Sequence, residues 1–134
     1  MKKIIPLMIL LLTGCLGKSA KGYITKTCIN KEIINGNTIE TKIEITSKQG
    51  DLEQIKIIEQ YDENIDLDSI INSKKSEQNL YKQTTGIKLE IENNKFIYEI
   101  DVKNASDLIN ERFNIKKEQH KQIEYYEENG YTCK

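Results

Sequence analysis

Histidine and cysteine are scarce in this 134-residue chain, at one His and three Cys. Soft metal sites want three or four ligands held together. His120 with the distant Cys28 and Cys133 makes no such set, so no metal is expected. The short signatures of catalysis are missing too. There is no G-x-S-x-G elbow, P-loop, G-x-G-x-x-G or H-E-x-x-H, and neither a catalytic residue nor a cofactor is assigned. No apolar run approaches the roughly 20 residues that cross a hydrocarbon core. Basic charge is not in excess either. Against 21 Asp and Glu stand 20 Lys and Arg, scattered rather than striped, which is the wrong footprint for polyphosphate and excludes nucleic acid as a partner.

What the chain does have begins with an address. Lys2 and Lys3 precede a short apolar stretch, residues 4–12 with Pro6 inside it, and the stretch closes in Leu12-Thr13-Gly14-Cys15. A basic start, a short apolar middle and small residues before a cut make a secretory leader rather than a membrane span. The closing four residues resemble the bacterial lipobox at every position. That resemblance implies a diacylglyceryl group on the Cys15 thiol, cleavage before Cys15, and further acylation of the new amino terminus with palmitate-type chains. Each buried methylene contributes about 0.8 kcal/mol, so two or more chains hold stably. The expectation is an exported domain, extracytoplasmic and lipid-anchored to the bacterial cell membrane through Cys15.

Residues 1–14 thus read as a lipoprotein signal peptide, 15–22 as the lipidated Cys and a flexible tether, and 23–134 as a single α+β domain. Dropping Lys2 and Lys3 from the 20 basic residues leaves 18 against 21 acidic. Only Cys28 and Cys133 remain after the anchor. Exported domains keep disulfides, and this pair would close the longest loop, worth roughly 4 to 5 kcal/mol in a chain-entropy account. Two free thiols are the alternative in a reducing host.

Period-two patterning starts at Tyr23. Thr25, Thr27 and Ile29 share its face, and Cys28 lies opposite. Asn35-Gly36 reads as a type I′ turn. Ile39, Thr41, Ile43 and Ile45 then alternate with Glu40, Lys42, Glu44 and Thr46. After a turn at residues 48–51 comes a third strand with Ile55, Ile57 and Tyr61 on one face, where the adjacent Ile57 and Ile58 suggest a bulge or burial of both faces.

Asp62, Asn64, Asp66 and Asp68 fall at alternate positions, as the first ligands of a calcium loop do. Leu67 stands where that loop needs Gly, and Ser73 where it needs Glu. The better reading is Asp66 capping a helix over residues 67–83, with Asp68 in its first turn. Lys74, Lys75, Glu77 and Gln78 interrupt that helix's apolar stripe, so packing by its two ends is expected.

A second hairpin follows. Ile87, Leu89 and Ile91 precede a turn at Asn93-Asn94, and Phe96, Tyr98, Ile100 and Val102 follow it, with Phe96 and Tyr98 expected in the core. Ser106 is placed to cap a short helix through Phe113. A last helix is expected over residues 117–129, with Gly130 at C′ and Tyr131 packing on Tyr126. His120 stands among Glu118, Gln119, Lys121 and Gln122, as an exposed helix residue does.

The fold expected is α+β, an antiparallel sheet made of a three-stranded meander plus a hairpin, in the order β-β-β-α-β-β-α, with helices packed on one face. The lipobox, the tether, a first strand ending near T-C-I, the hairpin G-I-K-L-E-I leading to I-D-V-K-N-A-S-D-L, and the closing N-G-Y-T-C-K resemble the YehR-like small bacterial lipoproteins. That resemblance implies a sheet with helices laid on it, a lipid anchor and no assigned chemistry.

The function that fits is a non-catalytic binding or interaction module at the cell envelope. Its partner would be a small ligand, a peptide or an envelope protein, received on the helix-free sheet face or in the gap between the long helix and the sheet. The alternative is an envelope-acting hydrolase or thiol-redox accessory. That needs His120 beside a buried carboxylate and a pocket, or an exposed, labile Cys28–Cys133 bridge.

Overall fold

The computed structural model describes residues 22–134. The leader, Cys15 and the tether as far as residue 21 lie outside the described residues. Gly22, assigned to the tether by sequence, is already part of the fold, because its carbonyl accepts the Gln49 N–H at 3.3 Å.

Six strands and three helices follow in chain order: β1 (Tyr23–Ile34), β2 (Asn37–Lys48), β3 (Asp51–Tyr61), α1 (Asp68–Tyr81), β4 (Ile87–Glu92), β5 (Lys95–Asp101), α2 (Asp107–Arg112), α3 (Gln119–Glu128) and β6 (Thr132–Cys133). They form one sheet in the order β4-β5-β3-β2-β1-β6, with every neighbouring pair antiparallel. The α+β class, the meander, the hairpin and their order are as expected. The sixth strand is the short extended end that carries Cys133.

Ladder register explains the core. Opposed residues in a ladder share a face, so Cys133, Cys28, Ile43, Ile57, Tyr98 and Leu89 form one row across all six strands. Ile45, Ile55, Ile100 and Ile87 form the next row. Tyr81 of α1, Ile109 of α2 and Tyr126 of α3 join these side chains in the core. Each fully buried side chain of this size contributes about 1.5–3 kcal/mol. Among the described residues, no helix is long and apolar enough to cross a membrane.

The turns obey their chemistry. Asn35 and Gly36 take φ of 53° and 82° between the paired Ile34 and Asn37. At Asn93-Asn94 only Asn93 has positive φ, 44°. Asn94 instead closes on β3, where its side-chain amide donates to the Tyr61 carbonyl at 2.6 Å and its own carbonyl accepts the Tyr61 N–H at 2.8 Å.

Two expectations are corrected. Pairing runs regularly through Ile57 and Ile58, and the bulge lies at Glu53, where the register shifts opposite Thr46 and Ser47. That one extra residue is what lets Leu52 and Ile55 both reach the core despite their odd spacing. Ile58 faces the opposite side of the sheet, paired with Ile97. At the start of α1 the cap position belongs to Leu67, in a helical conformation, although the Asp66 carboxylate still accepts the Asp68 N–H at 3.1 Å. Asp62 likewise accepts the Asn64 N–H at 3.1 Å, so these carboxylates are spent on the backbone. No metal-binding group of His, Cys, Asp or Glu occurs among the described residues.

The other helix ends are as expected. The Ser106 hydroxyl accepts the Ile109 N–H at 3.4 Å. At the end of α3, Tyr131 N–H donates to the Tyr126 carbonyl at 3.0 Å and Gly130 N–H to the Glu127 carbonyl at 3.2 Å. This is the paired pattern of a Schellman ending, and the Tyr126 and Tyr131 rings pack 5.4 Å apart.

Candidate functional site

Polar residues stand on the covered face of the sheet where apolar ones would be expected. Thr41 continues the row of Ile43 and Ile45, Glu59 stands in phase with Ile55 and Ile57, and Glu32 stands in phase with Cys28. Opposite them the middle of α1 is polar as well. The two ends of the helix pack on the core as expected, Ile70 and Ile71 at one and Tyr81 at the other. Its polar middle is the part bonded to the sheet: the Lys74 ammonium donates to Glu59 at 2.7 Å and to the Tyr98 hydroxyl at 2.5 Å. Tyr98 donates onward to Glu77 at 2.7 Å, and the Gln78 amide donates to the Leu89 carbonyl at 2.9 Å. Half-buried polar groups of this kind persist because each has its partner.

Because these side chains do not close over the sheet, a cleft of about 450 Å³ opens above β2 and β3, with residues of α1 on one side and α3 on the other. Its floor is Thr41, Ile43, Ile57 and Glu59. Tyr81, Tyr98, Tyr125, Tyr126 and Tyr131 line it, five of the chain's seven tyrosines, so the composition of the cleft is not that of the surface at large. Arg112, Phe113 and Asn114, from the end of α2 and the loop after it, close one end. The size is that of an ordinary small-ligand site.

Electrostatics keep the phenols neutral. Burial raises the Tyr98 hydroxyl far above its usual range, and its bond to Glu77 and the charge of Glu59 add to this. Tyr126 is raised by burial and then by its neighbours Tyr131 and Tyr125. Tyr81 and Tyr131 also shift upward, burial again being the first cause. Each is therefore a hydroxyl donor and acceptor, not an anion, at ordinary pH.

The loop that closes the cleft is held by a residue whose sequence context looked solvated. Gln122 is fully buried. Its side-chain oxygen accepts the Lys116 N–H at 2.6 Å, and its amide donates to the Asn114 carbonyl at 3.2 Å. Gln119 similarly ties the start of α3 to the Ile24 and Ile45 carbonyls, at 3.1 and 3.0 Å.

Of the residues singled out from sequence, Cys28 and Cys133 lie at disulfide-bonding distance with Cα atoms 3.9 Å apart. They form a non-hydrogen-bonded pair beside the doubly bonded Thr27 and Lys134, the kind of pair in which side chains come closest. Cys28 is wholly buried and Cys133 half-buried. His120 is exposed on α3 and is not among the cleft residues. Phe96 and Tyr98 are both in the core, but the Tyr98 hydroxyl also serves the cleft. Among the described residues, the cleft lining contains no Ser, Cys or His. Cys15 lies outside the described residues.

No protein-family model matches the chain, and no curated protein does. Among solved structures, an NMR structure of a protein from Streptococcus pneumoniae TIGR4 is similar, with 18% identity, a TM-score of 0.52, and coverage of 84% of this chain and 85% of that one. At that identity the likeness shows a shared fold.

Proposed function

We propose that this chain is an exported lipoprotein of the YehR-like kind, cut before Cys15 and acylated on it, whose domain is a non-catalytic binding module at the bacterial cell envelope. The observation that carries the binding role is the cleft above β2 and β3, which is ligand-sized and walled by tyrosines. Its lining supplies hydrogen-bonding and stacking groups without a nucleophile and imidazole to do acyl chemistry. The leader supplies the anchor, and an oxidising compartment would keep Cys28 joined to Cys133. No observation favours the hydrolase or redox alternative, since His120 stands away from the cleft and Cys28 is buried.

The anchor is tested by metabolic labelling with a clickable fatty acid. Label is expected on the wild type and not on Cys15→Ala, with the variant lost from the membrane fraction. An unlabelled wild-type chain recovered at full length from the cytosol would remove the lipoprotein reading.

A further inference from the structure

Charge is unevenly distributed in the cleft. Glu32, Glu59 and Glu77 line it, and Arg112 is the cation among its lining residues. Lys74 of α1 is not among the lining residues and is committed to Glu59 and Tyr98. Arg112 stands over the Tyr81 ring, 5.9 Å from its centroid, at the α1 side. Among the described residues no Lys or Arg lies within ion-pairing distance of Glu32 or Glu77. Glu59 and Glu32 both stand near Tyr131, whose hydroxyl is raised first by burial and further by their charges.

The aromatic walls already attract the protein's own cations. Lys74 lies 4.9 Å from the Tyr98 ring centre, Arg112 is over Tyr81, and Lys116 lies 5.1 Å from Tyr125. Tyr126 and Tyr131, on the side toward Glu32, have no such cation among the described residues. A desolvated ring face beside carboxylates favours a positive group through its quadrupole and disfavours an anion.

Resting on the binding-module reading above, we propose that the cleft receives the ammonium or guanidinium group of a small organic cation, held among Tyr126 and Tyr131 and the carboxylates of Glu32 and Glu77. Neutral phenols supply ring faces and hydroxyl acceptors there, and the carboxylates supply charge. Hydrogen bonds from the cation would go to Glu32 and Glu77, while Glu59 stays with Lys74.

The test is NMR titration of the full chain in a polyoxyethylene detergent, which presents neither an ammonium group nor a sugar. The probes are spermidine and N-acetylglucosamine. Spermidine is expected to give saturable shifts at Tyr126, Tyr131, Glu32 and Glu77 that weaken with added salt. In Glu32→Gln, whose side chain lies at the exposed end of β1, the apparent Kd should rise at least threefold with the remaining spectrum unchanged. Glu77→Gln should act in the same direction. Saturable cleft shifts from N-acetylglucosamine with none from spermidine would overturn the cation assignment and leave the cleft a binding site. Silence from both probes would also overturn the cation assignment. Cross-peaks joining the Glu77 and Tyr126 side chains, reporting a cleft closed in solution, would overturn both readings.

Discussion

Cys28 and Cys133 stand opposite each other across β1 and β6, although 105 residues separate them in sequence. The pair fixes a two-residue edge strand that has few other ties, and just before that strand Tyr131 forms part of the cleft wall. Cys133→Ser should therefore lower stability by about 3–5 kcal/mol, the range for losing a cross-link over a loop of this length. Urea unfolding with and without reductant measures it. Reductant should shift the wild-type midpoint and leave that of the variant in place.

Lys74 and Glu59 form a partly buried ion pair at 2.7 Å, with 13% and 25% of their side chains exposed. Removing one partner strands the other, whereas replacing both with apolar groups of similar size does not. Lys74→Ala is expected to cost about 1–2 kcal/mol. The double variant Lys74→Met with Glu59→Leu should recover most of that, as read in a double-mutant cycle of denaturant midpoints.

Tyr98 gives the stability a sign in alkaline solution. Its native pKa is raised above the ordinary 10.0, so above about pH 10 the unfolded chain releases a proton that the folded one keeps. Stability is thus fully present below pH 10 and falls as pH rises past it, by about 1.4 kcal/mol per pH unit for each such tyrosine. Tyr98→Phe should flatten that decline relative to wild type in urea unfolding at pH 9, 10 and 11. An equal slope in the two proteins would show that Tyr98 ionises alike in both states.

Gly86 lies where the chain leaves α1 for β4, at φ 87°, and a Cβ there would come within 2.5 Å of the Ala105 Cα. Its carbonyl also accepts the Asp101 N–H at 2.8 Å. Left-handed strain and backbone overlap act together, so Gly86→Ala should cost at least about 2 kcal/mol. Thermal unfolding should show a lowered Tm, and amide exchange should quicken first at Asp101.

Legibility followed the range of the interaction. The alternations of β2, β4 and β5, the Asn35-Gly36 turn, the Ser106 cap and the Gly130 ending all depend on residues within a few positions of one another, and each was readable in the chain. The cleft was partly visible. Glu59 falls in phase with Ile55, Ile57 and Tyr61, and a charge on an otherwise apolar strand face is a signal that something polar must meet it. Its partner Lys74 sits in the very stretch that interrupts the apolar stripe of α1. Gln122 carried no such sign, because nothing in its neighbourhood separates a buried amide from a solvated one.

By itself, the sequence determined the strand faces, the Asn35-Gly36 turn, the Ser106 cap and the Gly130 ending, because side-chain periodicity and backbone preference are local properties. Only the tertiary structure decided that β5 lies between β3 and β4, that Glu59 meets Lys74, and that α1 and α3 stand apart with five tyrosines between them. A period of two says which face a residue takes and nothing about which strand lies beside it. That choice belongs to the packing free energy of the whole sheet, summed over contacts far apart in the chain.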